Sequence, residues 1–188
     1  MADVCGIQVE IFETPTSSFV DTTQSQLQRP FKLLVKDEVF TIDSEKFSKL
    51  SPIFAIMCYG REFENGRELA REIVDEKSND IAIFLHCLHH NHSENKTIDE
   101  KNFTTILRLA KKYQVESLVN ACEKFVLESA DLDKLKPDQV LSLTITANDH
   151  HLRRSVLSKL ILRLAKEDRL TFNRLKLSRF LPSHVICD

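Results

Sequence analysis

The run Val39-Phe-Thr-Ile-Asp-Ser-Glu-Lys-Phe-Ser-Lys-Leu-Ser-Pro-Ile-Phe-Ala-Ile-Met57 constrains the fold more than any other part of the chain. Val39, Phe40 and Ile42 carry the β-branched and aromatic content of a strand. Directly after them, Asp43 or Ser44 offers a side-chain oxygen that can accept a backbone N–H and start a helix. Phe47 and Leu50 lie three apart on one face of that helix. Ser51-Pro52 then begins a second helix, with Ser51 as cap and Pro52 at the first helical position, where a missing N–H costs nothing. Ile53, Phe54 and Met57 form its apolar stripe. Helices this short do not bury both faces within one chain. Phe54 is therefore expected in the core, Phe47 and Ile53 partly exposed, and Phe47, Leu50, Ile53 and Met57 at a contact with a second copy.

Around this run strand and helix periodicities follow one another, giving an α+β fold class. Gly6 to Phe12 alternates through Ile7, Val9 and Ile11 as a short strand. The Thr-, Ser- and Gln-rich stretch ending at Arg29-Pro30 reads as a linker, and Phe31 to Ile42 as a hairpin turning near Asp37-Glu38. Tyr59-Gly60 closes the second short helix, and a charged segment from Arg61 to Ala70 precedes a short strand from Glu72 to Asp75. Ser78-Asn-Asp80 can cap a helix with Ile81, Phe84, Leu85 and Leu88 on its buried face. Thr97 to Asp99 is a turn or minor strand before a helix bearing Phe103, Ile106, Leu107 and Ala110, with Tyr113 at its end. The next helix carries Leu118, Cys122, Phe125 and Val126. Beyond the charged connection from Asp131 to Lys136, a helix from Pro137 to about Asn148 and another from Leu152 to Ala165 form a helical hairpin. A shorter helix is expected between Phe172 and Phe180.

Seven residues of the opening run, Phe40, Ile42, Phe47, Ser51, Pro52, Phe54 and Met57, resemble in order and spacing the F-x-V strand and S-P-x-F-x-x-M helix of the BTB/POZ family. Ile98-Asp-Glu-x-Asn-x-x-x-x-Leu-x-Leu-Ala-x-Lys-Tyr113 and Cys122-Glu-Lys-Phe125 resemble the helical hairpin that closes such a domain. The resemblance implies a BTB/POZ fold, a small sheet flanked by short helices, over residues 31–128. It implies an N-terminal strand and linker at 1–30 and a 3-box/BACK-like helical extension at 129–188, as in cullin-3 adaptors of the MATH-BTB and BTB-BACK type. It further implies a homodimer joined by the two short helices, with Ile7 to Phe12 available for exchange between subunits. The favoured role is a substrate adaptor of a cullin-3-type ubiquitin ligase, with cullin meeting Tyr59, Phe63, Ala82, Ile83 and Phe84 and an unidentified substrate protein held elsewhere. The alternative is a dimeric scaffold or transcription-related regulator without ligase activity. The chain departs from the family where Pro30 stands near a buried Asp position, where Asp43-Ser44 replaces a His-Lys pair, and where Ala82, Ile83 and Phe84 lack the Glu of an apolar-x-Glu motif.

Composition narrows the remaining classes. Hydrophobic residues at 42% and charged residues at 29% are the balance of a soluble globular protein. With only three glycines, neither a turn-rich all-β fold nor a Gly-rich phosphate loop is favoured. A formal charge of -2 supplies no general attraction for nucleic acid or anionic membrane. The cations gathered between Arg153 and Arg179, set against Glu167 and Asp168, read as solvated helix faces. Five cysteines without a C-x-x-C pair fit a reducing, intracellular setting, cytoplasm or nucleus. No secretion signal or membrane span is legible, and the N-x-S/T triplets at Asn91, Asn95 and Asn102 read as coincidence.

Catalytic machinery is not legible either. His86, Cys87, His89, His90 and His92 are the densest group of metal-ligand types, and His86 and His90 share a helix face. A structural zinc needs four ligands and a catalytic one three, and no second pair has recognisable spacing. The group reads as a helix end whose imidazoles face water and complement the helix dipole. Cys58 and Cys122 lie on apolar faces as small core residues. No G-x-S-x-G, H-E-x-x-H or phosphate-loop motif occurs, and Glu62, Glu64 and Glu68 have no evident partner. The expectation is a binding protein without catalytic, metal or cofactor site.

Overall fold

The computed structural model describes residues 8–11, 29–60, 70–90 and 98–175. Its sheet has the order β1-β3-β2-β4, formed by β1 (Gln8–Ile11), β2 (Pro30–Val35), β3 (Glu38–Asp43) and β4 (Ala70–Glu72). β2 and β3 pair antiparallel from Pro30↔Asp43 to Val35↔Glu38, which leaves Lys36-Asp37 as the turn, one residue earlier than expected. Lys36 takes a φ of 53°, so this glycine-free turn places a lysine in the left-handed region. Phe31, Leu33, Val35, Phe40 and Ile42 point into the core, as alternation requires.

The N-terminal strand pairs antiparallel with β3 of its own chain, Gln8 opposite Thr41 and Ile11 opposite Glu38. The strand expected at Glu72 to Asp75 begins earlier. Ala70, Arg71 and Glu72 pair in parallel with Lys32, Leu33 and Leu34, and after Ile73 N–H donates to Leu34 O at 2.7 Å the chain turns away, leaving Val74 exposed. The strand therefore lasts only as long as β2 offers partners.

The helices are α1 (Ser44–Leu50), α2 (Pro52–Tyr59), α3 (Ser78–His90), α4 (Phe103–Lys112), α5 (Glu116–Lys124), α6 (Pro137–Asp149), α7 (Arg154–Leu164) and α8 (Arg169–Leu175). A π-helical turn, Phe125–Ser129, prolongs α5. Asp43 is the cap of α1, its carboxylate accepting from Glu45 N–H at 3.1 Å. Ser51 caps α2, accepting from Phe54 N–H at 3.1 Å, with Pro52 at the first helical position. Ser78 is no cap: α3 already includes it, Lys77 O accepts from Ile81 N–H, and Ser78 Oγ donates to Val35 O at 2.9 Å, tying α3 to the sheet.

α4 buries Phe103, Ile106, Leu107 and Ala110 as their spacing required, and α6 and α7 add Val140, Leu143, Ala147, Val156, Leu160 and Leu164 to the same continuous core. The last helix spans Arg169–Leu175 and so starts before Phe172; Phe180 lies outside the described residues. No helix among the described residues is long and apolar enough to cross a membrane.

Candidate protein-interaction surface

α1 and α2 form a corner because β3 ends in a capping aspartate and Ser51-Pro52 breaks and restarts the helix within one residue. Ser51 Oγ also donates to Tyr113 O, so the cap of α2 is fixed to the end of α4. Phe54 fills the space beneath. Its ring stacks on Tyr113 at 5.2 Å, lies 6.4 Å from Phe84, and receives Phe47 edge-on at 5.4 Å.

This aromatic cluster corrects two expectations. Phe47, expected to be partly exposed, retains 4% of its surface, because its ring packs edge-on against Phe54. Phe84, expected on the cullin-facing surface, retains none, because it lies between Phe54 and Tyr113, 5.5 Å from the latter. Leu50, Ile53, Met57, Ala82 and Ile83 are half-buried, and Tyr59 is exposed. Phe63 lies outside the described residues.

What remains outward on α2 is apolar. The helix reads Pro-Ile-Phe-Ala-Ile-Met-Cys-Tyr, without a charged residue, and Phe54 alone is buried. Ile56 is 60% exposed and Tyr59 42% exposed. A helix apolar on every side normally lies inside a core. Ile56 was not among the residues singled out from the sequence, although it sits three residues from Ile53. The signal was the absence of any polar residue between Pro52 and Tyr59.

The rim is polar. Tyr59 Oη and Ser44 Oγ are hydrogen-bonded at 3.2 Å, Ser44 Oγ reaches Arg29 O at 3.0 Å, and the Arg29 guanidinium lies 5.5 Å from the centre of the Tyr59 ring. The chain therefore enters the sheet alongside α1 and α2. On α1, Lys49 and Glu45 pair at 2.7 Å on the solvent side, which holds the Glu45 carboxyl below its ordinary pKa.

The other candidate chemistry is dispersed. Among the described residues no three His, Cys, Asp or Glu side chains are placed to hold a metal. His86 and His89 are half-buried on α3, Cys87 is in the core, and the side chains of His90 and His92 lie outside the description. Burial pushes the Cys58 thiol up to about 11 and that of Cys122 to about 12, so both are neutral near pH 7 and poor nucleophiles. Among the described residues, four cations of the basic tail meet carboxylates from earlier in the chain: Arg153 meets Glu123, Arg163 and Lys166 meet Asp133, and Arg174 meets Asp138.

A small mixed sheet, a capped corner of two short helices and a closing helical hairpin define a protein-interaction fold, and the BTB/POZ domain family model matches residues 31–130. The chain belongs to the BTB/POZ family, whose domain mediates protein–protein interaction and is not an enzymatic one. It is also similar to Cytokinesis defective protein 7 of Caenorhabditis elegans, 28% identical over 134 residues that cover 69% of this chain and 48% of that protein. The chain thus spans about half the length of this curated relative.

Proposed function

We propose that the chain is a homodimeric interaction module in which α2 and its neighbour α1 meet the same surface of a second copy about a two-fold axis. The observation that supports this is the apolar exterior of α2, above all Ile56 at 60% exposure in a helix with no charged residue. Ile53, Met57 and Leu50 flank it and would be covered further, with Tyr59 and Arg29 at the rim. Light scattering at tens of micromolar tests the reading. Wild type should have the mass of two chains and Ile56→Asp that of one, since a carboxylate buried at the contact without a partner carries a heavy penalty. A wild-type monomer at that concentration overturns it.

The second reading gives the dimer a role as substrate adaptor of a cullin-3-type ubiquitin ligase. It is supported by the α6–α7 pair, which packs against α4 and the π-turn where such adaptors carry their helical extension. Cullin would then meet Tyr59, Ala82 and Ile83, and Phe84 would act only as support from within the core. A pull-down with the cullin-3 N-terminal domain separates this from a dimeric scaffold. Retention at micromolar concentration makes the chain an adaptor, and its absence leaves the scaffold. The worm relative's name associates that protein with cytokinesis, so dividing cells are the first place to seek a partner of this chain.

A further inference from the structure

α7 carries Lys159 and Arg163, four residues apart, on the side that faces the end of α5. There the helix ends in a π-turn and the following connection turns back on itself, so its carbonyl groups can take side-chain donors, even Leu132 O, which also accepts from Leu135 N–H at 3.3 Å. Lys159 Nζ donates to Leu127 O at 2.7 Å, Arg163 Nε to Leu132 O at 2.9 Å, and Arg163 Nη2 to Leu135 O at 3.4 Å. The Arg163 side chain is only 12% exposed; Glu167 takes its Nη1, and Asp133 lies 3.4 Å from the Nε that also donates to Leu132 O. Lys159 of the extension thus holds a carbonyl inside the family domain, and Arg163 holds two carbonyls of the connection that follows it.

We infer that Lys159 and Arg163 form a latch that, added to the shared core, fixes α6 and α7 to the 31–130 domain as one rigid body. The connection from Asp131 to Lys136 is short and charged, but its Leu132 is buried in the core that α6 and α7 share with the domain, so these bonds act on top of that packing to oppose opening of the joint. With them in place, opening the joint strips partly buried cations and carbonyls of their partners, which costs more than breaking neutral hydrogen bonds. Whatever the extension holds therefore keeps a constant orientation to the α2 surface. This holds for one chain alone and does not rest on dimerisation.

Hydrogen–deuterium exchange on the full chain tests the latch. In wild type the amides of α6 and α7 should exchange as slowly as those of α4. In the Lys159→Met, Arg163→Met double variant they should exchange about tenfold faster than α4, as expected for losing charged-donor bonds at the joint. Arg163→Lys keeps the charge but loses the fork that grips two carbonyls, and should fall between; it serves if the double variant fails to fold. Wild-type exchange already faster in α6–α7 than in α4 overturns the latch. So does a folded variant in which the two regions still exchange together.

Discussion

The carboxylate of Glu123, near the end of α5, holds Arg153 twice: Oε1 accepts its backbone N–H at 2.9 Å and Oε2 its Nε at 2.8 Å. Arg153 is the residue before α7 and has no side-chain oxygen to cap that helix, so a carboxylate thirty residues away in sequence satisfies a donor at the helix start. Glu123→Ala should lower stability by about 2 kcal/mol, leaving an orphaned N–H and a void, and Glu123→Gln by about 1 kcal/mol. Arg153→Ala keeps the backbone bond and removes a solvent-facing guanidinium, so its cost should be about 0.5 kcal/mol or less. Urea unfolding of the three variants checks the order; equal losses would refute the capping role.

Glu76 gives stability a pH dependence with a definite sign. Its side chain is 3% exposed; Arg108 binds it through both carboxylate oxygens at 2.9 and 2.8 Å, and Lys112 binds at 2.6 Å. Burial pushes its pKa up, but the bonds from Arg108 and Lys112 outweigh burial and hold it below the ordinary value. A depressed carboxylate stabilises the fold fully above its unfolded pKa, about 4.3, and the contribution is lost as pH falls through the folded value. Arg108 and Lys112 are shifted upward, so their share is present at neutral pH and fades only above the ordinary lysine value, about 10.4. Glu76→Gln should cost about 2 kcal/mol at pH 7, discounted because both cations reach solvent, and should flatten the acid limb between pH values of about 5 and 3. Identical acid limbs for wild type and variant in urea melts would remove Glu76 from this role.

Local chemistry made much of this fold legible. The Ser51-Pro52 break, the alternation of β2 and β3, and the three- and four-residue spacing on α4, α6 and α7 each specify an element through its own residues. Long-range partners were not legible. Ser78 looks like a cap but spends its hydroxyl on Val35 O, because α3 packs against the hairpin end. Phe47 looks exposable on a seven-residue helix, yet Phe54 meets it edge-on from α2, and Phe84 and Tyr113 from α3 and the end of α4 pack against Phe54 in turn. The basic tail looks unbalanced, since its counter-ions Glu123, Asp133 and Asp138 stand earlier in the chain. For the surface, the missing polar residues of α2 are a stronger sign than its apolar stripe of Ile53, Phe54 and Met57, which passes over Ile56.

Two helix corners repeat one device. After α4, Gln114 has φ 53° and Val115 N–H donates to Ala110 O at 2.8 Å; after α6, His151 has φ 52° and Leu152 N–H donates to Ala147 O at 2.9 Å. Both are left-handed helix ends of the kind glycine favours, each followed by a buried apolar residue. Gln114→Gly and His151→Gly should each stabilise by about 0.5 kcal/mol, relief of the left-handed strain exceeding the added freedom of the unfolded chain. The double variant should show the sum within about 0.5 kcal/mol. Thermal denaturation with either variant less stable than wild type would contradict this account of the corners.

A charge on α1 and a charge on α2 should have opposite consequences. Phe47→Asp places a carboxylate in the apolar core and removes the ring that packs edge-on against Phe54; a loss of about 4 kcal/mol or more is expected. Such a variant yields monomers only by unfolding, and its mass alone says nothing about self-association. Ile56→Asp replaces a side chain already facing water, so the fold of the single chain should lose about 0.5 kcal/mol or less. Circular dichroism melts at low protein concentration, where dissociation no longer contributes, measure this difference. A folded, stable Phe47→Asp chain would show that the ring is not enclosed as described. A collapse of Ile56→Asp under the same conditions would show that α2 needs its outer face for its own stability and not for a partner.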